Sequence, residues 1–320
     1  MIISAKAGEF EAGISKEGST REHALLSFAL GIKQMIVLVN KMDDASVQYK
    51  QERFIEIVDY ATSSLRKIGF KAENIQFVPV SGWLGENLAV PSTNMPWYKG
   101  PTAAGAVDML SAPKRAHDKP LRLPINEVFK ISGIGTVVSG RIESGVVKAG
   151  MTISIQPAGI VAEVKSVEQH RQSLKEGIPG MTVGICLRGV PAKDVKRGMV
   201  LGPSVKDAPS VVTKFIAQMM VINHPGEIRV GYTPIVDCHT SHVACKIVEL
   251  VEKKEKKGGS VSNPPSIKNG DTAIIAFIPQ KPLCLETFKT YAALGRFAVR
   301  DSQKTVAVGI VTSIETKSTD

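Results

Sequence analysis

The first 115 residues alternate between two apolar periods. Residues 34–39 are a short run rich in Ile and Val, as a strand of a parallel sheet requires. Gln51–Ile68 carries Phe54, Ile55, Val58, Ala61 and Leu65 at the spacing of one helix face, with Gly69 as its stop. An earlier helix starts at Ser19, with Glu22 three residues on as in a capping box. It continues through Ala24, Leu25, Phe28 and Leu30 and ends near Gly31. Residues 1–4 are a strand stub, 75–80 a third strand and 104–110 a third helix. Strands alternating with helices predict a parallel α/β sheet with right-handed crossovers.

From about residue 118 the pattern changes to short segments rich in Val, Ile and Thr. They span 122–131, 135–142, 152–155, 162–167, 182–187, 214–222, 233–238, 244–251, 272–277 and 305–312. Turn signals such as Glu143-Ser144-Gly145 and Lys148-Ala149-Gly150 recur between them. That rhythm predicts antiparallel β-barrels, and two fit the length. The stretch 202–209, with two prolines and no apolar period, is the expected joint. The domains are therefore expected at 1–115, 116–205 and 206–320. The lysine-rich stretch 253–263 reads as a solvated hairpin loop.

Composition narrows the function classes. The chain has 320 residues, 43% hydrophobic and 22% charged, enough to bury real cores. Apolar runs such as 35–39 fall far short of the roughly 20 residues of a membrane span, so no membrane partner is expected. Four cysteines without framework spacing predict reduced thiols and a cytoplasmic location. The net charge of +10 is uneven. Residues 1–115 hold 13 Lys+Arg against 12 Asp+Glu, and residues 116–320 hold 27 against 18. The basic excess in the barrels points to a polyanion, nucleic acid above all.

One motif carries base-reading chemistry. Asn40-Lys41-Met42-Asp43 follows directly on the strand 34–39. In an open parallel sheet, ligands bind beyond the carboxyl ends of the strands. A carboxylate there accepts two hydrogen bonds from the ring N–H and the exocyclic amine of guanine. Adenine offers no such pair of donors and would leave the acid desolvated. The Lys41 stem is placed to cover the base and Asn40 to brace the loop. Ser81-Gly82-Trp83 follows the strand 75–80, where Gly82 lets a backbone N–H come close to the guanine carbonyl. Asn40, Lys41, Asp43, Ser81, Gly82 and Trp83 are thus the guanine-binding candidates. The sequence contains no Gly-x-x-x-x-Gly-Lys-Ser/Thr stretch to wrap phosphates and no early Asp-x-x-Gly for a magnesium ion. No catalytic residue is assigned, and weak or absent GTP binding is expected of this chain alone.

Longer motifs carry a family likeness. Gly8-Glu9-Phe10-Glu11-Ala12-Gly13-Ile14-Ser15, Thr20-Arg21-Glu22-His23-Ala24, Asn40-Lys41-Met42-Asp43-Asp44 and Ser81-Gly82-Trp83-Leu84-Gly85-Glu86-Asn87 resemble the eukaryotic translation elongation factor 1-alpha family. So do Asp118-Lys119-Pro120-Leu121-Arg122-Leu123-Pro124, Gly231-Tyr232-Thr233-Pro234-Ile235-Val236-Asp237-Cys238-His239-Thr240 and Leu294-Gly295-Arg296-Phe297-Ala298-Val299-Arg300-Asp301. The resemblance runs from residue 1 to about 315. It implies a P-loop-GTPase-type α/β domain, here partial, followed by two antiparallel β-barrels. It also implies GTP or GDP with Mg²⁺ in the intact family, and delivery of aminoacyl-tRNA to the ribosomal A site with a guanine-nucleotide exchange factor. The match begins partway through the family's first domain, so the expectation is an N-terminally shortened member.

The same resemblance, through the related bacterial factor Tu, implies an aminoacyl-tRNA site. Its residues would be Asn126, Glu127 and Phe129, then Ser139 and Arg141 on the next strand, with His170 and Arg171 in a neighbouring loop. Arg296, Arg300 and Lys304 match more loosely a contact to the tRNA T arm. An apolar slot with Phe129 suits stacking on a terminal base, and Arg141 and Arg171 suit phosphates. Met181-Thr182 stands where the family usually has Asp-Asn. Two alternatives remain open: a non-enzymatic module binding actin, an exchange factor or RNA, and a termination or ribosome-rescue GTPase, which Leu285-Glu286-Thr287-Phe288 would suit. Ser139-Gly140-Arg141 and Val306-Ala307-Val308-Gly309 fit the elongation type better. Cys238, His239, His242 and Cys245 cluster like zinc ligands, but on one strand 238 and 242 would face one way and 239 and 245 the other. No metal site is expected.

Overall fold

A computed structural model describes residues 1–15, 18–29, 31–113, 115–204, 206–255, 259–301 and 304–316. Residues 1–113 and 114–320 form two compact units.

The first unit is a parallel sheet in the order β1 (Ile2–Ser4), β2 (Met35–Asn40), β3 (Ile75–Pro79). Its register sets Ser4 beside Asn40 and Val39 beside Pro79, so all three strands end on one edge. β1 lies at the side of the sheet with Ile2 63% exposed. The helices are α1 (Glu9–Ile14), α2 (Ser19–Ala29), α3 (Gln51–Ile68) and α4 (Ala103–Asp108). Two details differ from the sequence reading. First, α1 was not expected: Gly8 starts it, and the Gly8 N–H donates to Glu11 at 2.6 Å. Second, α3 buries Ile57, Ala61 and Leu65, while Ile55 is 47% exposed. The stripe of steps of four from Ile57 lies against the sheet, and Ile55 sits two residues off it. α2 starts at the expected Ser19, whose side chain lies outside the described part, as does Leu30.

The second unit holds two closed barrels. The first is built from β4 (Leu123–Ile131), β5 (Gly135–Arg141), β6 (Val147–Lys148), β7 (Thr152–Gln156), β8 (Ile160–Gln169), β9 (Gln172–Ser173), β10 (Glu176–Gly177), β11 (Thr182–Arg188) and β12 (Val200–Pro203). Six of these run β11-β5-β4-β12-β7-β8, and a β11–β8 pairing closes the circle. β12 takes Gly202 and Pro203, which the sequence reading gave to the joint. An edge-compatible proline and the short strand length hid it. The second barrel comprises β13 (Val211–Val221), β14 (Ile235–Cys238), β15 (Ser241–Lys254), β16 (Ser260–Ser262), β17 (Thr272–Pro279), β18 (Leu283–Cys284), β19 (Arg296–Asp301) and β20 (Lys304–Thr316). It runs β14-β19-β20-β13-β17-β15 and closes through β14–β15. Phe215 and Phe277 stack at 5.0 Å in its core, and Phe297 meets both edge-on. β15 and β16 form the expected hairpin around 253–263, of which residues 256–258 lie outside the described part.

The barrels are joined by a buried polar seam. Arg122, 2% exposed, meets Glu286, 6% exposed, at 2.9 Å. Arg122 also donates to the carbonyls of Leu121 and Asp207 and lies over the Tyr291 ring at 4.5 Å. Ser210 donates to Glu286 through both its amide and its hydroxyl. The tight turn between β14 and β15 adds a second contact, where the Thr240 hydroxyl donates to the Ile125 carbonyl at 2.7 Å.

That turn corrects the zinc geometry. Because the chain reverses between Cys238 and Ser241, Cys238 and Cys245 both point into the core, while His242 faces out and pairs with Asp237 at 2.7 Å. His239 instead turns its Nε2 to the Cys284 carbonyl at 3.0 Å. As a residue it is only partly buried, yet burial of its ring is the main influence that lowers its pKa from 6.5 to about 4. Between those two values the unfolded chain holds the proton and the folded chain does not. Acidification from about pH 6.5 to about 4 is therefore expected to cost on the order of 1–3 kcal/mol of stability. Denaturant titrations at several pH values check this: His239→Gln should flatten that part of the profile.

Candidate functional site

The parallel order brings the two loops after β2 and β3 to one edge, and Asn40 ties them together. Its side-chain Oδ1 accepts from the Lys41 amide at 2.8 Å and from the Gly82 amide at 2.8 Å. A Cβ at Gly82 would stand 3.3 Å from that oxygen, so a side chain there would press on the brace. The Gly82 amide is therefore engaged within the protein. Backbone bonds complete the frame: Met42 N–H to the Val80 carbonyl at 3.2 Å, and Val80 N–H to the Val39 carbonyl at 2.8 Å. Ser81 is fully buried and its Oγ accepts from the Leu84 amide, while a two-way bridge links Ser81 and Glu86. Trp83 projects outward, 90% exposed.

Lys41 sits at φ 65, in the left-handed region, and its Nζ reaches Glu9 on α1 at 2.6 Å. Asp43 is the informative residue. Among the described residues its Oδ1 is the one buried side-chain oxygen or nitrogen without a hydrogen-bond partner. Leaving a buried acceptor unmatched costs about 1–3 kcal/mol, and more when it is charged. Neighbouring polar side chains are engaged elsewhere: Asp44 accepts from Ser46, and Glu86 from Ser92 and Asn94. The site is thus a braced pair of loops that present one unmatched acidic acceptor. The sequence holds no glycine-rich phosphate loop, and among the described residues no group of three or more His, Cys, Asp or Glu is placed to hold a metal ion. No step through phosphate or Mg²⁺ follows from them.

The other candidates gather on the outer face of the first barrel. Across β4, β5, β11 and β8, one row reads Glu127, Ser139, Gly184, Glu168, and the next reads Phe129, Val137, Cys186, Ser166. Phe129 is 44% exposed. Asn126 is exposed at a register shift before Glu127. Arg141 stands opposite Thr182, whose carbonyl accepts from Gln169, so the turn with His170 and Arg171 lies beside that row. Both turn residues have positive φ, 50 and 63. Glu143, close to Arg141 at 3.9 Å, has its carboxyl pKa raised by burial. In the second barrel, Arg296 lies over Phe288 at 4.7 Å and Arg300 lies 3.7 Å from Asp237, both on β19, with Lys304 exposed at the start of β20. Sequence reasoning missed Glu9, Arg122 and Glu286. Each stood inside a motif quoted whole, but nothing local marked its role.

Comparison with known proteins covers the whole chain. Residues 1–140 match the model of the elongation factor Tu GTP binding domain, 135–202 that of elongation factor Tu domain 2, and 214–312 that of the GTP-eEF1A C-terminal domain-like family. Elongation factor 1-alpha 1 of Euplotes crassus is 51% identical over 322 residues, covering 100% of this chain and 73% of the relative. Elongation factor 1-alpha of Entamoeba histolytica is 52% identical, covering 98% and 71%. Among solved structures, sup35 complexed with GMPPNP is similar at a TM-score of 0.60 and 33% identity, covering 98% of this chain and 78% of that one. The GDP complex of sup35 gives 0.59 at the same identity. Among the described residues no helix is long and apolar enough to cross a membrane.

Proposed function

Because the chain belongs to the elongation factor 1-alpha family of translational GTPases, we propose that its first unit reads a guanine base and its barrels carry aminoacyl-tRNA to the ribosome. The observation that carries the first half is the buried, unmatched Oδ1 of Asp43 at the junction of two loops braced by Asn40. The solved structures of sup35 with GMPPNP and GDP support the same ligand class. Asp43 accepts the ring N–H and the amine of the base, the Lys41 stem covers its face, and Ser81, Gly82 and Trp83 form the second loop of the site. Nucleotide selectivity then rests on the base. The phosphates add little in these 320 residues, because no glycine-rich cradle is among them.

The aminoacyl-tRNA half is supported by the continuous outer face that joins Glu127, Phe129, Ser139 and Arg141, with His170 and Arg171 at its end. Phe129 stacks on the terminal base, and Arg141 and Arg171 meet phosphates. Thr182 beside Arg141 lacks the amide donor of the usual Asn, which weakens the grip on the amino-acid ester. The Arg296, Arg300 and Lys304 stretch contributes a looser contact to the T arm. The chain acts in the cytoplasm. An exchange factor and actin remain partners of a plain interaction module with the same basic barrels. The curated relatives at 51% and 52% identity favour the elongation type over a termination or rescue factor.

Two titrations test the reading. GMP, GDP and GTP should bind within a few-fold of one another, with no gain from Mg²⁺; tight Mg²⁺-dependent GTP binding would contradict it. Aminoacylated tRNA should bind better than uncharged tRNA. Equal binding with the same steep salt dependence would instead mark a generic basic module.

A further inference from the structure

Lys41 is held by a residue outside both base-reading loops. Its Nζ stands 2.6 Å from Glu9 Oε2, and the same oxygen accepts from the Ser4 hydroxyl at 2.8 Å. Lys6 approaches the other Glu9 oxygen at 3.7 Å. The two hydrogen bonds and the two lysines hold the Glu9 carboxyl below the usual carboxylate range, with the Lys41 bond the largest influence. Glu9 opens α1, and α1 is fixed in turn. Gly8 N–H donates to Glu11, and Arg53 of α3 bonds Glu11 at 3.0 Å, the Ala5 carbonyl at 3.0 Å, and lies over Phe10 at 5.3 Å. Lys41 itself has a left-handed backbone, φ 65, which for a long side chain persists only where surrounding contacts hold it.

We infer that Glu9 is a positioning residue for base binding: it pins the Lys41 ammonium to α1, so that the lysine stem is set as one wall of the guanine slot before the base arrives. The inference rests on the guanine reading of Asp43. Its physical content is pre-organisation. A four-carbon stem has many rotamers, and ordering it before binding removes that cost from the binding step. The pair is half-exposed, so the effect is modest. It should act on affinity and leave base choice, set by Asp43, unchanged.

Titration of the full chain with GMP, followed by NMR, tests this. Glu9→Ala should raise Kd about two- to five-fold, the range of a surface ion pair. Glu9→Gln, which keeps a neutral acceptor, should fall between Glu9→Ala and the parent. The preference for GMP over inosine monophosphate should stay the same in all three. Lys41→Met keeps an unbranched stem of similar length without the ammonium, and in that background Glu9→Ala should have no further effect. An unchanged Kd in Glu9→Ala, or the same loss in the Lys41→Met background, overturns the positioning role. A parent protein that binds neither nucleotide overturns the guanine reading and this inference with it.

Discussion

Asp43→Asn should abolish the preference for guanine and transfer it to xanthine. The carboxylate accepts from two donors on guanine, and a hydrogen bond to a charged group is worth about 1.5–3 kcal/mol. An amide keeps one acceptor and sets an N–H₂ against the guanine amine, donor facing donor. A loss of about 10- to 100-fold in GMP affinity is expected. Xanthine carries an oxygen where guanine carries that amine, so the new amide donates to it and xanthosine monophosphate binding rises. Competition titrations with the two nucleotides read both changes. The fold should be intact, since the variant removes a charge whose buried oxygen has no partner. A thermal midpoint at or above that of the parent shows this, and unchanged GMP binding would contradict the assignment.

The second large effect is on stability. Arg122→Ala or Glu286→Ala should lose about 3–5 kcal/mol, because each leaves a nearly fully buried opposite charge without its partner. Glu286→Ala also strands the Ser210 amide and hydroxyl, and Arg122→Ala strands the Asp207 carbonyl. The loss should be non-additive. Arg122→Met combined with Glu286→Leu removes both charges and fills the space, and should recover much of the difference. Denaturant unfolding of the full chain measures it. Single variants within about 0.5 kcal/mol of the parent would mean that the seam contributes little to holding the barrels.

How much of this was legible in the sequence follows the range of the interactions involved. α3 came out at Gln51–Ile68 because eighteen residues of one period outweigh any neighbour. The barrel class was legible from short β-branched runs, but β12 and β19 were not. β12 has four residues with Gly and Pro in it, and β19 sets Arg296, Arg300 and Asp301 around the short apolar run Phe297–Val299. Asn40 and Asp43 stood out because strand ends in a parallel sheet share an edge, which topology alone dictates. The spent Gly82 amide was not visible, since a hydrogen bond to Asn40 depends on how close two loops come. Arg122 and Glu286 are 164 residues apart, and no local pattern joins them. The turn misled the zinc geometry because His239 and Thr240 reverse the chain where alternation assumes a straight strand.

Asp43 is proposed as the acceptor for the donor pair of a guanine base. The most direct test is the ¹³C resonance of the Asp43 carboxyl in the full chain during titration with GMP and, separately, with AMP. A saturable shift with GMP and none with AMP is the predicted result. A carboxyl resonance that ignores GMP, or moves equally with both, contradicts it.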